Sequence, residues 1–106
     1  VHEGPIAISK GYKIKLKPGN VISNEPGFYK KGKFGIRIEN MIYVKQIKSK
    51  VFFENLTMVP IDKELINFNL LNKNEKNYLL NYNLKIYSNV EKYLNYKEKF
   101  WLLSHF

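Results

Sequence analysis

Cysteine is absent from this chain of 106 residues. Disulfides and thiolate metal sites are therefore excluded, and any metal must be held by oxygen and imidazole donors. Imidazole is itself scarce, with 2 histidines, and Asp62 is the single aspartate. Arginine is represented by Arg37 alone. The other basic residues are lysines scattered along the chain, without the arginine clustering of a nucleic-acid site. No apolar run approaches the roughly 20 residues of a membrane span, and no signal peptide, internal repeat, low-complexity tail or linker is visible. The length suits one compact domain and no more.

What is present is the composition of a folded protein, 44% hydrophobic and 15% aromatic. The net charge of +9 permits a polyanionic partner. Spread as it is, the charge reads as solubility, so neither nucleic acid nor membrane is expected as a partner. The chain opens on Val1 and directly on a motif, which reads as a piece cut from a longer protein.

The organising stretch runs from Ser23 to Asn40. It reads Ser-Asn-Glu-Pro-Gly, then Phe28-Tyr29, a Lys/Gly turn, and Phe-Gly-Ile-Arg-Ile-Glu-Asn. Val21 to Glu25 is a short strand ended by Pro26-Gly27, because proline cannot donate to a ladder. Phe34 to Lys45 is the longest strand expected, with Ile36, Ile38, Asn40, Ile42 and Val44 on one face and Arg37, Glu39, Met41 and Tyr43 on the other. A hairpin folded at Lys30–Lys33 brings Glu25 near Glu39. Arg37 lies on the Glu39 face, about 7 Å away along the strand. Such a pair of carboxylates suits a hard metal ion, a proton-transfer pair or an ordinary polar face.

Around this stretch, Tyr12 to Lys17 alternates apolar and lysine residues and predicts a half-buried strand, followed by a Pro18-Gly19 turn. Lys45 to Lys50 predicts a loop, and Val51 to Val59 a further strand ended by Pro60. Beyond it the pattern becomes helical. Asp62 is placed to cap a short turn through Ile66. Asn72 and Glu75 form a capping-box signal. Leu79, Tyr82, Ile86, Val90 and Tyr93/Leu94 recur at helical spacing, Phe100/Trp101 continue the stripe, and breaks are expected near Asn89 or Asn95. Strands first and helices last predict an α+β fold.

Three motifs in this order and spacing carry a resemblance: Val1-His2-Glu3-Gly4-Pro5, Ser23-Asn24-Glu25-Pro26-Gly27-Phe28-Tyr29, and Phe34-Gly35-Ile36-Arg37-Ile38-Glu39-Asn40. Together they resemble the Xaa-Pro aminopeptidases (aminopeptidase P), metallopeptidases with the pita-bread fold shared with methionine aminopeptidases and prolidases. The run Phe53–Asp62 and the terminal helix with Glu75, Tyr78–Tyr82 and Trp101 resemble the C-terminal extension of the eukaryotic-type enzymes. The resemblance implies that residues 1–60 are the C-terminal half of a pita-bread catalytic domain, and that residues 61–106 are the helical extension.

It further implies two divalent metal ions, with Mn²⁺ expected, held by two Asp, one His and two Glu. Glu25 matches the first Glu, which also shuttles a proton, and Glu39 matches the second, which bridges both metals. His2 matches a histidine that hydrogen-bonds substrate, and Arg37 a residue that orients the carboxylates. The implied substrate is a peptide with proline in second position, in a cytoplasmic enzyme that forms a homodimer when intact. The two Asp and the metal-binding His have no counterpart here, since Asp62 belongs to a helix cap and His105 to the tail. Two of five ligands are thus supplied, so the chain is expected to be inactive without the N-terminal remainder of the domain. Tyr82-Asn83, where relatives often have Tyr-His, is a smaller departure. The alternative is a non-catalytic pita-bread-like module that binds protein or nucleic acid.

Overall fold

The computed structural model describes residues 5–106, which leaves His2 outside the described residues. The chain divides into two units, Val1–Thr57 and Met58–Phe106.

The described residues of the first unit form five strands: β1 Val21–Asn24, β2 Gly27–Lys30, β3 Phe34–Arg37, β4 Asn40–Ile47 and β5 Lys50–Asn55. They form a three-stranded antiparallel sheet in the order β1-β4-β5 and a two-stranded ribbon, β2-β3. The single strand expected from Phe34 to Lys45 is therefore two. The reason lies on the partner segment. Asn24 pairs with Asn40 at the end of one ladder, and Gly27 with Arg37 at the start of the other. The register is the same in both, so continuing it places Glu25 opposite Glu39 and Pro26 opposite Ile38. Pro26 has no N–H to give. What remains is a single bond from the Ile38 N–H to the Pro26 carbonyl, 3.1 Å. One long hairpin is interrupted where the two carboxylates face each other.

Side chains alternate across this hairpin. Ile22, Ile42 and Val44 share one face and are buried. Ser23, Glu25, Arg37 and Glu39 belong to the other. Lys30–Lys33 closes the β2–β3 turn with Gly32 at φ +69°. β4 and β5 are joined by only Lys48 and Ser49, so the loop expected from Lys45 to Lys50 is a tight turn, with Lys48 itself at φ 54°. β5 stops at Asn55 rather than running to Val59. The Met41 N–H donates to the Thr57 hydroxyl, 2.8 Å, and a side chain thereby replaces the ladder's backbone acceptor.

Tyr12–Lys17 is not a strand. Among the described residues it pairs with no strand, and Tyr12 and Ile14 are each 51% exposed. The alternation specified two faces but not a neighbouring edge to complete the hydrogen bonds. The Pro18-Gly19 turn does form, with Gly19 at φ +87°, and it joins the sheet through Gly19 N to Val44 O and Val44 N to Asn20 O.

In the second unit Asp62 caps a short 3-10 turn, Lys63–Leu65. Helix α1, Lys73–Val90, starts from Asn72 through a complete capping box with Glu75. A 3-10 turn, Glu91–Tyr93, separates it from α2, Tyr96–Ser104, which Asn95 and Glu98 cap in the same way. Tyr82, Ile86 and Leu102 form the core, with Met58, Ile61, Tyr87, Val90, Leu94 and Phe106 packed against it. The Tyr82 hydroxyl donates to the Val59 carbonyl, 2.8 Å, so the buried ring leaves no polar atom unpaired. Phe100 and Trp101 do not continue the apolar stripe, being 70% and 62% exposed. The 3-10 turn and the second cap reset the helical phase, and Leu102 turns inward instead.

Candidate active site

Glu25 and Glu39 occupy one register position of the interrupted hairpin, and Arg37 stands between them. The guanidinium lies 3.7 Å from Glu25 Oε2 and 3.6 Å from Glu39 Oε2. These are ion-pair separations, longer than direct hydrogen bonds. Glu25 is the more enclosed carboxylate, its side chain 25% exposed against 37% for Glu39 and 53% for Arg37. At this exposure each pair contributes less than about 1 kcal/mol. The arrangement serves orientation more than stability: one cation stands against two like charges that the backbone holds opposite each other and offsets part of their repulsion.

Two further contacts on this face were not anticipated from sequence. The Ser23 hydroxyl donates to Glu25 Oε1, 3.1 Å. Tyr29, directly opposite Gly35, lays its ring across both glycines of the ribbon. A Cβ at Gly35 would stand 2.6 Å from the ring, and one at Gly27 would stand 2.7 Å from the Tyr29 hydroxyl. The absence of side chains at Gly27 and Gly35 makes this placement possible. Ser23 was legible in principle, because residues two apart on a strand share a face; a long ring's direction along the ribbon was not.

The remaining candidates fall elsewhere. Asp62 is engaged in its cap, accepting from the Glu64 N–H at 3.0 Å. His105 Nδ1 lies 2.8 Å from the Trp101 carbonyl. Among the described residues no group of three His, Cys, Asp or Glu side chains comes close enough together to hold a metal ion. The donors that fit a hard divalent ion are the carboxylates of Glu25 and Glu39. Away from the site, Glu54 accepts from Lys45 Nζ at 2.6 Å and from the Tyr43 hydroxyl at 2.9 Å, and its hydrogen bond raises the Lys45 pKa above the ordinary lysine value.

Known proteins share this architecture. A family model described as the C-terminal region of peptidase_M24 matches residues 50–105, and one described as metallopeptidase family M24 matches residues 1–46. The probable Xaa-Pro aminopeptidase P of Fusarium vanettenii is 46% identical, over 88% of this chain and 17% of its own length. The protein of the same name from Botryotinia fuckeliana is 50% identical, over 83% of this chain and 15% of its own. The chain thus spans less than a fifth of these relatives. Among solved structures, the X-prolyl aminopeptidase from Caenorhabditis elegans, described as a cytosolic enzyme with a di-nuclear active site, matches with a TM-score of 0.84 at 35% identity. The match covers 99% of this chain and 19% of that one. Antiparallel strands followed by helices make the chain α+β, with the architecture of the corresponding part of a pita-bread aminopeptidase. Because residues 50–105 are more than half of its length, the match to their model places the chain in the peptidase M24 family of metallopeptidases.

Proposed function

We propose that the chain supplies part of the active site of a Xaa-Pro aminopeptidase, which releases the first residue of a peptide whose second residue is proline. The observation that carries this reading is the placement of Glu25 and Glu39 at one register position, with Arg37 between them, in a chain of this family. In this reading residues 1–60 belong to the catalytic domain and residues 61–106 are its helical extension. Glu25 and Glu39 would hold two divalent ions, Mn²⁺ by preference, with two Asp and one His from the N-terminal remainder of the domain.

When bound, such a pair of ions polarises the scissile carbonyl and acidifies water. Glu25 takes a proton from the attacking water and returns it to the leaving proline nitrogen. Glu39 provides the second carboxylate, and Arg37 keeps both in place. His2 hydrogen-bonds the peptide near the scissile bond. A cytosolic homodimer, with peptide as its partner, completes the reading; the description of the nematode enzyme as cytosolic supports the location. No helix among the described residues is long and apolar enough to cross a membrane.

Two measurements test this. By itself the chain should not hydrolyse Xaa-Pro peptides, and calorimetry should find only weak Mn²⁺ binding; tight, stoichiometric binding by the isolated chain would overturn the partial-site reading. Joined to the upstream part of the catalytic domain, it should turn over such peptides, and Glu39→Ala should reduce turnover to background. Normal activity of that variant would remove Glu39 from the metal site.

A further inference from the structure

The Glu25 carboxylate is held at both of its oxygens by different partners. Oε1 accepts from the Ser23 hydroxyl at 3.1 Å, while Oε2 faces Arg37 at 3.7 Å. The two partners differ in firmness. Arg37 reaches the carboxylate through a long side chain that is 53% exposed. Ser23 has a single side-chain torsion, and its backbone is fixed by the β1–β4 ladder opposite Met41. Its neighbour Ile22, on the other face, is buried at 6% exposure. The hydroxyl therefore starts from one of the better-anchored points in the first unit. Both Ser23 and Glu25 are half-buried, so water competes less for this bond than at an open surface.

We infer that Ser23 is a positioning residue for Glu25. By donating to Oε1 it selects one orientation of the carboxylate. Arg37 orients Glu25 and Glu39 together, whereas Ser23 acts on Glu25 alone. The two glutamates are thereby made inequivalent: the one assigned the proton-transfer role has an additional fixed donor. This inference rests on the reading of Glu25 as a metal ligand. Groups that orient ligands in this way change metal affinity by 10-fold to about 100-fold.

The test uses the complete enzyme to which this reading assigns the chain. Ser23→Thr and Ser23→Val create side chains of nearly equal shape that differ in the hydroxyl, and both suit a strand. Calorimetric titration with Mn²⁺ and kcat/KM on a Xaa-Pro peptide are measured for both, beside Ser23→Ala and Glu25→Gln. Melting of the metal-free proteins checks the fold. Ser23→Val and Ser23→Ala are expected to weaken Mn²⁺ binding by about tenfold or more, Ser23→Thr to stay within about threefold of the parent, and the metal-free melting temperatures of Ser23→Thr and Ser23→Val to agree. Equal Mn²⁺ affinity in Ser23→Thr and Ser23→Val, with Glu25→Gln weakened, overturns the role of Ser23 while leaving Glu25 a ligand. Unchanged affinity in Glu25→Gln overturns the assignment of Glu25 and the role of Ser23 with it.

Discussion

Arg37 is the only arginine of the chain, and its position explains why lysine would not serve there. A guanidinium presents donors in a rigid fork and can address two carboxylates at once, while an ammonium is a single point charge. Replacing it with an uncharged residue of similar length leaves Glu25 opposite Glu39 without the intervening cation, and like charges directly across a pair of strands destabilise. Arg37→Met is therefore expected to lower the stability of the metal-free protein by up to about 1 kcal/mol at low salt. High salt should shrink the loss, because these side chains are partly exposed and screened. Melting curves at two ionic strengths check this; a loss unaffected by salt would mean that Arg37 contributes packing and not charge. The carboxylates themselves were legible from the sequence because alternation and the Lys-Gly turn both constrain them. The closeness of Glu25 to Ser23 needed only the strand period, yet a serine in a motif carries no mark of the hydrogen bond it will make.

At the scale of elements, the interrupted hairpin is the feature to explain. Pro26 stops both strands at once, and the two pieces resume in unchanged register, so the break displaces no side chain to the opposite face. On the distal piece the glycines give space to a ring: Tyr29 covers Gly27 and Gly35. A methyl at position 35 would meet that ring. Alanine in place of glycine ordinarily favours a strand by about 0.5–1 kcal/mol. Gly35→Ala is instead expected to destabilise, and the loss should disappear in the Tyr29→Ala background. Denaturant melts of the four proteins of this cycle should give a coupling of about 1 kcal/mol; additivity would show that the ring moves aside freely. In the helical unit, Asn95 and Glu98 hold the start of α2 from both sides, the Asn95 N–H donating to Glu98 and the Glu98 N–H to Asn95 at 2.7 and 3.0 Å. Asn95→Ala should cost about 1 kcal/mol, read as lower far-ultraviolet helix signal and an earlier melt; an unchanged melt would show that packing of Leu102 alone sets that helix. The Asn72–Glu75 cap was legible because Asn-x-x-Glu is a local pattern; at Asn95 the sequence predicted only a break, and the same pattern there caps α2. The phase of α2 was not, because it depends on how many residues the 3-10 turn consumes.

In the first unit as a whole, one apolar face runs along the hairpin and changes character midway. Ile22, Ile42 and Val44 are buried, while Phe28, Phe34, Ile36 and Ile38 on the same side are between 45% and 62% exposed. Phe28 and Phe34 still pack on each other, with ring centroids 6.1 Å apart. A cluster of large apolar side chains in water favours association. The isolated chain should therefore bind a hydrophobic dye and associate as concentration rises. Ile36→Lys should reduce both without lowering the melting temperature, as measured by dye fluorescence and light scattering. Unchanged association would place the sticky surface elsewhere.

Composition and period determined much of this protein by themselves. The lack of cysteine limited the metal chemistry to oxygen and imidazole, alternation placed the hairpin's two faces, and the Asn72–Glu75 box marked the start of α1, because each depends on residues close in the chain. Tertiary contacts decided that Tyr12–Lys17 pairs with no strand among the described residues, that Leu102 and not Trp101 enters the core, and that Ser23 and Arg37 hold Glu25 from its two oxygens. Those outcomes depend on which distant edge, helix or side chain arrives as a neighbour, and no short-range period encodes that. The stretch from Ser23 to Asn40 shows the division: the sequence by itself set two carboxylates on one face, and the fold set what holds them there.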